Sequence, residues 1–283
     1  MLNGCAYILT VDVGNTFIRF GLFAEDSAAA QECPLATCEI TTPSSITADE
    51  ARMRLTQVMG ALSADAGMPG ALVPAAAVLS CVVPALERPW KAALSRTCTG
   101  RVLTVGPGLK TGMPVHYDDP AEIGPDRIAD AVAARVVYGS PCIVIDLGTT
   151  TNIEVIDARG TFVGGVIAPG LALGARSLSA AAARLPQVEP SAPTHVIGRN
   201  TREAMRSGVV LGEVARIDGM LDMVLAEMRS TKAAGEGSVP IVITGDDAEA
   251  FAALVGHSLT VDDALTLRGL AELYRINQKP RRV

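Results

Sequence analysis

Ile8-Leu-Thr-Val-Asp12-Val-Gly14-Asn15-Thr16 runs directly into Phe17-Ile-Arg-Phe-Gly-Leu-Phe23. An apolar run reaches Asp12, a Gly-Asn turn signal follows, and Ile18, Phe20 and Leu22 then alternate with polar residues or glycine. The pattern predicts two strands joined by a tight turn. A second copy stands downstream, where Ile143-Val-Ile-Asp146-Leu-Gly148-Thr149-Thr150 leads into Thr151-Asn-Ile-Glu-Val-Ile156. The two aspartates lie 134 residues apart, close to half of the 283-residue chain. Similarity at a fixed offset is the mark of a duplicated domain. One copy alone reads equally as an ordinary hairpin, because Gly, Asn and Asp all favour tight turns. Two copies with matched flanks point instead to a nucleotide clamp between two related domains.

The residue types suit that chemistry. Glycine permits a tight turn and close approach of the backbone. Successive N–H groups after it form a concave anion nest. Asn and Thr side chains add donors to phosphate oxygens, and an aspartate at the strand end can hold a hydrated divalent cation. No Gly-x-x-x-x-Gly-Lys-(Ser/Thr) stretch occurs, and lysine is found only at positions 91, 110, 232 and 279. A P-loop protein and a protein kinase are thereby excluded.

Composition sets the outer limits. At about 100–200 residues per domain, the length suits one large domain or two modest ones. Hydrophobic residues make up 49% and charged residues 19%, so the chain can bury a core and is not disordered. Aromatics are only 4%, which leaves the core to Ala, Val, Leu and Ile. A net charge of −6 argues against nucleic acid or anionic lipid as a partner. The six cysteines form no CxxC pair and the three histidines do not cluster with them, which disfavours a zinc site or a disulfide scaffold. Leu2-Asn3-Gly4-Cys5 faintly resembles a lipid-attachment site, but no apolar stretch precedes it. The most apolar run, Ala71 to Leu86, is broken by Pro74 and Pro84 and falls short of the ~20 residues of a membrane span. A soluble, cytoplasmic protein with reduced thiols is expected.

Between the hairpins, strands and helices alternate. Thr47-Ala-Asp-Glu50 is a capping box, and Met53, Leu55, Val58, Met59 and Leu62 mark one helical face. The reading continues with a strand at 76–83, a helix at 86–96 and a short strand at 102–105. The Gly/Pro-rich segment Gly106-Pro-Gly-Leu-Lys-Thr-Gly marks a domain border. A helix follows at 126–138, and after the second hairpin one at 171–185. A long helix at about 201–228, opened by Asn200-x-x-Glu203, precedes a strand at 240–244 and a last helix at 262–277. Strands and helices mixed in two halves make an α/β architecture.

The segment from His116 through Tyr117 to Gly124-Pro125-Asp126-Arg127 carries further chemistry. A carboxylate at the start of a helix can accept a proton from a substrate hydroxyl, and the adjacent arginine can grip a substrate carboxylate through two hydrogen bonds. The same residues read equally as a helix-start aspartate and a solvated surface charge.

Taken together, these residues resemble type III pantothenate kinase, of the acetate kinase/sugar kinase/Hsp70/actin superfamily. The matching pieces are Asp12-Val-Gly-Asn-Thr16, Ser80-Cys-Val-Val-Pro84, Tyr117-x-x-Pro120 with Gly124-Pro-Asp-Arg127, Asp146-Leu-Gly-Thr149, Gly164-Gly-Val-Ile-Ala-Pro-Gly-Leu171, Leu185-Pro186, Ile197 to Gly208, and Leu265-Thr-Leu-x-Gly-Leu270. They follow the family's order over nearly the whole chain. The resemblance implies two duplicated ribonuclease H-like domains, here 1–112 and 113–283, with the active site in the cleft between them. It implies ATP-dependent phosphorylation of pantothenate, the first step towards coenzyme A.

By the same resemblance Asp12, Val13, Gly14, Asn15, Thr16, Phe17, Ile18 and Arg19 form the first phosphate loop, and Thr149 contacts nucleotide phosphate. Asp126 is the general base. Tyr117, Gly124, Pro125, Asp126 and Arg127 line the pantothenate pocket, and Thr201 contacts pantothenate. Asp146 sits at a monovalent-cation site (potassium or ammonium), and Asp12 is the candidate for Mg2+ that accompanies ATP. A homodimer is implied.

Some residues keep a plain structural reading. Gly164-Gly165 reads as a strand turn, Gly170 as a helix-start glycine and Asn200 as a cap. Cys81 and Cys142 read as buried packing residues, and Trp90 and Tyr138 as core or interface. The chain departs from the family at Thr244-Gly245-Asp246-Asp247, where Thr-Gly-Gly is usual. Asp246 adds a β-carbon where φ is expected to be unfavourable, and charge near phosphates; alternatively Asp246 or Asp247 caps the next helix. Asp119 and Asp130 stand where asparagine is common, and Asn152 and Glu154 where Thr and Asp are common. This keeps open a catalytically weak or inactive member acting as a ligand-binding or regulatory protein. A kinase for another small hydroxy acid or sugar is a third reading.

Overall fold

The computed structural model describes residues 6–25, 31–68, 70 and 72–278. Leu2 to Cys5 and Ala71, named above, lie outside the described residues. The chain forms two compact units, Met1–Gly139 with Ala264–Val283, and Ser140–Asp263.

In the first unit, β1 (Tyr7–Val13), β2 (Phe17–Ala24) and β3 (Ala36–Thr41) form an antiparallel meander. Helix α1 (Ala48–Asp65) leads to β4 (Ala76–Cys81), which pairs parallel with β1. Helix α2 (Pro84–Thr97) leads to β5 (Val102–Thr104), parallel to β4, and α3 (Pro125–Tyr138) follows. The sheet order is β3-β2-β1-β4-β5. The expected capping box starts α1: the Glu50 N–H donates to the Thr47 hydroxyl at 3.2 Å, and the Thr47 N–H to the Glu50 carboxylate at 2.8 Å. Strand alternation sends Leu9, Val11 and Val13 into one core with Leu55 and Leu62 of α1 and Trp90 of α2. Thr10 and Asp12 therefore face the opposite side.

The second unit repeats the plan. It comprises β6 (Cys142–Leu147), β7 (Thr150–Ile156), β8 (Phe162–Pro169), α4 (Leu171–Ala181), α5 (Thr201–Arg206), α6 (Gly212–Ser230), β9 (Ile241–Gly245), α7 (Ala248–Ala252) and β10 (Thr260–Val261). Its sheet runs β10-β9-β6-β7-β8, with β6–β7–β8 antiparallel and β9 and β10 parallel. That is the strand order of the first unit, so the duplication read from the two hairpins extends to whole sheets.

After β10 the chain returns to the first unit as α8 (Leu265–Ile276), which packs on α3 and β1. The expected border is 112/113, whereas the compact units divide at 139/140 and 263/264. The α3–α8 crossing is too close for a side chain at Gly269, where a Cβ would lie 1.9 Å from the Ala129 carbonyl oxygen. Helix α3 is therefore bound into the first unit, and the division falls at 139/140.

Other boundaries move for local reasons. Helix α4 stops at Ala181. The long helix read at 201–228 is interrupted by a π-turn at Ser207–Leu211, a single-turn insertion that hydrophobic periodicity does not register. Gly164-Gly165 lies within β8 and not at a turn; Gly164 has φ +121° beside a register shift at Val155/Ile156. Among the described residues no helix is long and apolar enough to cross a membrane.

Candidate functional site

In the first unit the Gly14–Thr16 turn is strapped from one side. The Gly14 N–H donates to the Phe17 carbonyl at 3.0 Å. Thr42 adds two bonds, its hydroxyl to the Gly14 carbonyl at 2.7 Å and its N–H to the Thr16 carbonyl at 2.9 Å. Asn15 and Thr16 are exposed on this fixed turn, whereas Val13 and Ile18 are buried in the core. What those two can offer a phosphate is main chain. Phe17 and Arg19 are half-buried, and Arg19 pairs across the sheet with Glu39 at 3.0 Å.

Asp12 is the penultimate residue of β1, with Arg19 opposite on β2 and Ser80 opposite on β4. It is buried, and its Oδ1 has no hydrogen-bond partner among the described residues. Burial, then the negative charge of Asp126, raise its pKa from 3.8 to about 6, with the Ser80 hydroxyl and Arg19 pulling the other way. A buried carboxylate oxygen without a donor fits a cation. Among the described residues no group of three or more His, Cys, Asp or Glu is arranged to hold a metal. A divalent ion here would thus be shared between one or two carboxylates and a phosphate, as Mg2+ commonly is.

Asp126 stands in the first turn of α3, behind Gly124 and Pro125. Its Oδ1 accepts the Arg127 N–H at 2.8 Å. Gly124 leaves room for this carboxylate: a Cβ there would lie 2.3 Å from that same oxygen, so the Asp126 side chain would have to shift. Burial raises the Asp126 pKa, against the Arg127 N–H and guanidinium. Arg127 is 5% exposed, which corrects the reading of it as a solvated surface charge. Tyr117 is half-buried on the preceding loop. Beside this loop lies a cavity of about 380 Å³ lined by Cys81, Gly106, Leu109, Met113, Ile123 and Pro125, among others. Cys81 is half-buried, and burial raises its thiol to about 11. Sequence reasoning assigned no role to Ser80; only the β1–β4 register sets it against Asp12.

In the second unit Asp146 is half-buried at the end region of β6, opposite Asn152 and Thr244. The next turn holds Thr149, and the Gly148 N–H donates to the Thr150 carbonyl at 3.0 Å. Gly170 does more than start α4. Its N–H donates to the Thr149 carbonyl at 3.0 Å, and a Cβ on it would lie 2.2 Å from the Gly148 oxygen. Gly245 has φ +92°, and a Cβ there would lie 2.1 Å from the Leu147 oxygen.

The departure at 246–247 is resolved differently from expectation. The left-handed backbone falls at Asp247 (φ +56°) and not at Asp246. Asp247 stands at the start of α7, yet its side chain makes no capping bond. Both aspartates line a cavity of about 220 Å³ with Leu147, Gly148, Glu213 and Phe251. Thr201 is the exposed first residue of α5; Asn200 caps that helix as expected, accepting the Glu203 N–H at 3.0 Å.

Comparison with known proteins gives a consistent result. A family model for type III pantothenate kinase matches residues 8–223. The chain is 37% identical over 275 residues, 96% of each chain, to a type III pantothenate kinase of Koribacter versatilis. It is 39% identical over 274 residues to type III pantothenate kinase 2 of Symbiobacterium thermophilum, covering 96% of this chain and 97% of the relative. In fold it is similar to a ROK hexokinase of Thermus thermophilus, with a TM-score of 0.50 and 13% identity over 96% of this chain and all of that one. Both domains of the chain, and the motifs that decorate them, thus place it in the type III pantothenate kinase family.

Proposed function

We propose that this protein transfers the γ-phosphoryl group of ATP to the primary hydroxyl of pantothenate, giving 4'-phosphopantothenate for coenzyme A synthesis. The observation that carries the reading is the buried Asp12 oxygen without a donor, close enough to Asp126 for the two charges to repel. One carboxylate seeks a cation and the other a proton. The pantothenate hydroxyl oxygen forms the new P–O bond, the bond to the ADP oxygen breaks, and the hydroxyl proton passes to Asp126. Mg2+ bound with ATP would neutralise phosphate charge, and Asp12 would hold it through its hydration shell.

The Gly14–Thr16 turn offers amides and hydroxyls to phosphate, and Thr149 does the same from the second hairpin. Arg127 pairs with the pantothenate carboxylate, while Tyr117, Gly124 and Pro125 shape the acceptor site. Asp146 serves the monovalent cation, potassium or ammonium. Thr201 contacts pantothenate in a homodimer, and the protein works in the cytoplasm.

The test is ADP release from ATP and magnesium, with and without pantothenate, in potassium and in sodium. Pantothenate-dependent, potassium-stimulated turnover is expected, falling by about 10²–10⁴ in Asp126→Asn. Full turnover by Asp126→Asn would remove Asp126 as the base. The Asp246 and Asp247 carboxylates beside the second cavity favour one other reading, a ligand-binding protein. Stable protein that binds pantothenate without turning it over would establish that instead.

A further inference from the structure

Beneath the second hairpin lies a polar network, buried at Thr151 and Glu213 and partly exposed at Arg216, that the reaction as described does not use. Thr151, 4% exposed, donates its hydroxyl to Glu213 Oε1 at 2.6 Å. Glu213, 5% exposed in the first turn of α6, pairs through Oε2 with Arg216 one helical turn on. The same Arg216 nitrogen donates to the Pro169 carbonyl at 2.5 Å. Pro169 is followed by Gly170, whose N–H holds the Thr149 carbonyl. One ion pair thus reaches the Gly148–Thr150 turn twice: at its exit through Thr151, and at its midpoint through Pro169 and Gly170.

Burying the Glu213 carboxylate is expensive in desolvation, which a one-third-exposed Arg216 offsets only in part, and an apolar side chain of the same shape often holds a fold as well. Stability alone therefore does not account for it. A turn that must present Thr149 to a phosphate within a fraction of an ångström does need lateral support from a rigid element. Helix α6 is that element, and Glu213 and Thr151 also line the cavity beside Gly148.

We propose that Glu213 and Arg216 are positioning residues that fix the Gly148–Thr150 turn for nucleotide phosphate. The phosphate part rests on the function proposed above; the positioning of the turn does not. Neither residue was singled out in the sequence, because i,i+3 Glu–Arg pairs are common on solvated helix faces and only the tertiary structure buries the glutamate of this one.

The test uses the full-length protein and the variants Glu213→Gln, Arg216→Met, Thr151→Val and Thr151→Ser. Amide hydrogen exchange at Gly148 and Gly170 is measured without nucleotide, with Val144 and Ile145 of β6 as the internal reference. Exchange about tenfold faster at the two glycines is expected in the first three variants, with β6 unchanged and Thr151→Ser close to wild type. Steady-state kinetics is expected to show KM for ATP raised about tenfold, with KM for pantothenate within about twofold. Wild-type exchange at both glycines in Glu213→Gln and Thr151→Val overturns the proposal. Exchange raised equally across β6 also overturns it, by making the network merely structural. Loosened glycines with an unchanged KM for ATP overturn the phosphate part. A wild-type protein without turnover sinks the proposed reaction instead, and the exchange measurement still decides the positioning.

Discussion

Replacing Asp12 by asparagine is expected to stabilise the metal-free protein at neutral pH. Asp12 is 8% exposed, and burial and Asp126 together carry its pKa from 3.8 to about 6. The folded value lies above the unfolded one, so the folded chain binds the proton more tightly. The stability this group contributes is whole below about pH 4 and is lost as the pH rises through about 6. The difference between 3.8 and about 6, at about 1.36 kcal/mol per pKa unit, is about 3 kcal/mol at pH above 7. Asparagine has nearly the same shape and never ionises. For a unit of this size that energy corresponds to roughly 6–12 °C in Tm. Thermal unfolding of wild type and Asp12→Asn is to be followed in EDTA from about pH 4 to pH 8. The variant is expected to melt higher at the alkaline end, with the gap closing towards the acid end. Asp126→Asn, which removes the second cause, is expected to narrow the gap. An Asp12→Asn protein no more stable than wild type at about pH 7.5, or a gap that ignores pH, would refute the reasoning.

Three further outcomes follow from individual contacts in the structure. Gly124→Ala puts a methyl 2.3 Å from the Asp126 oxygen, so kcat is expected to fall by about tenfold or more while Tm changes little; steady-state kinetics beside a thermal melt checks this. Trp90 is fully buried, with its ring 5.7 Å from that of Phe20; Trp90→Ala is expected to cost about 3–5 kcal/mol, read by circular dichroism in urea. Asp218 is pushed up by its partial burial, but hydrogen bonds from His257 and the Gly256 N–H outweigh this and hold it below the ordinary carboxylate range. Its contribution is present above the unfolded value and lost as the pH falls through the folded one. His257→Ala is therefore expected to lower Tm at neutral pH, by a margin that shrinks in acid; a margin constant with pH would count against it.

How much of this was legible in the chain depends on the range of the interactions involved. Alternation of Ile18, Phe20 and Leu22 around a glycine turn, the Thr47–Glu50 capping box and the Asn200 cap are decided within a few residues, so the sequence carried them. The repeat at Asp12 and Asp146 carried the duplication, and the two sheets have matching strand orders. The π-turn at 207–211 escaped because one inserted residue leaves the apolar periodicity almost intact on either side. The membership of α3 in the first compact unit is not local either, because α3 is held by α8, a helix from the far end of the chain.

At the candidate site, residue types and motif order in the chain determined the two hairpins, the helix-start Asp126 and Arg127, and with them the family. Tertiary structure decided the chemistry of each group. Parallel pairing of β1 with β4 sets Ser80 against Asp12; folding brings the Asp126 charge near Asp12 and raises its pKa; burial turns Arg127 and Glu213 from surface charges into held ones. The reason is physical. Backbone conformation answers to neighbours a few residues away, whereas desolvation and Coulomb energy answer to whatever the fold brings near, at any distance along the chain.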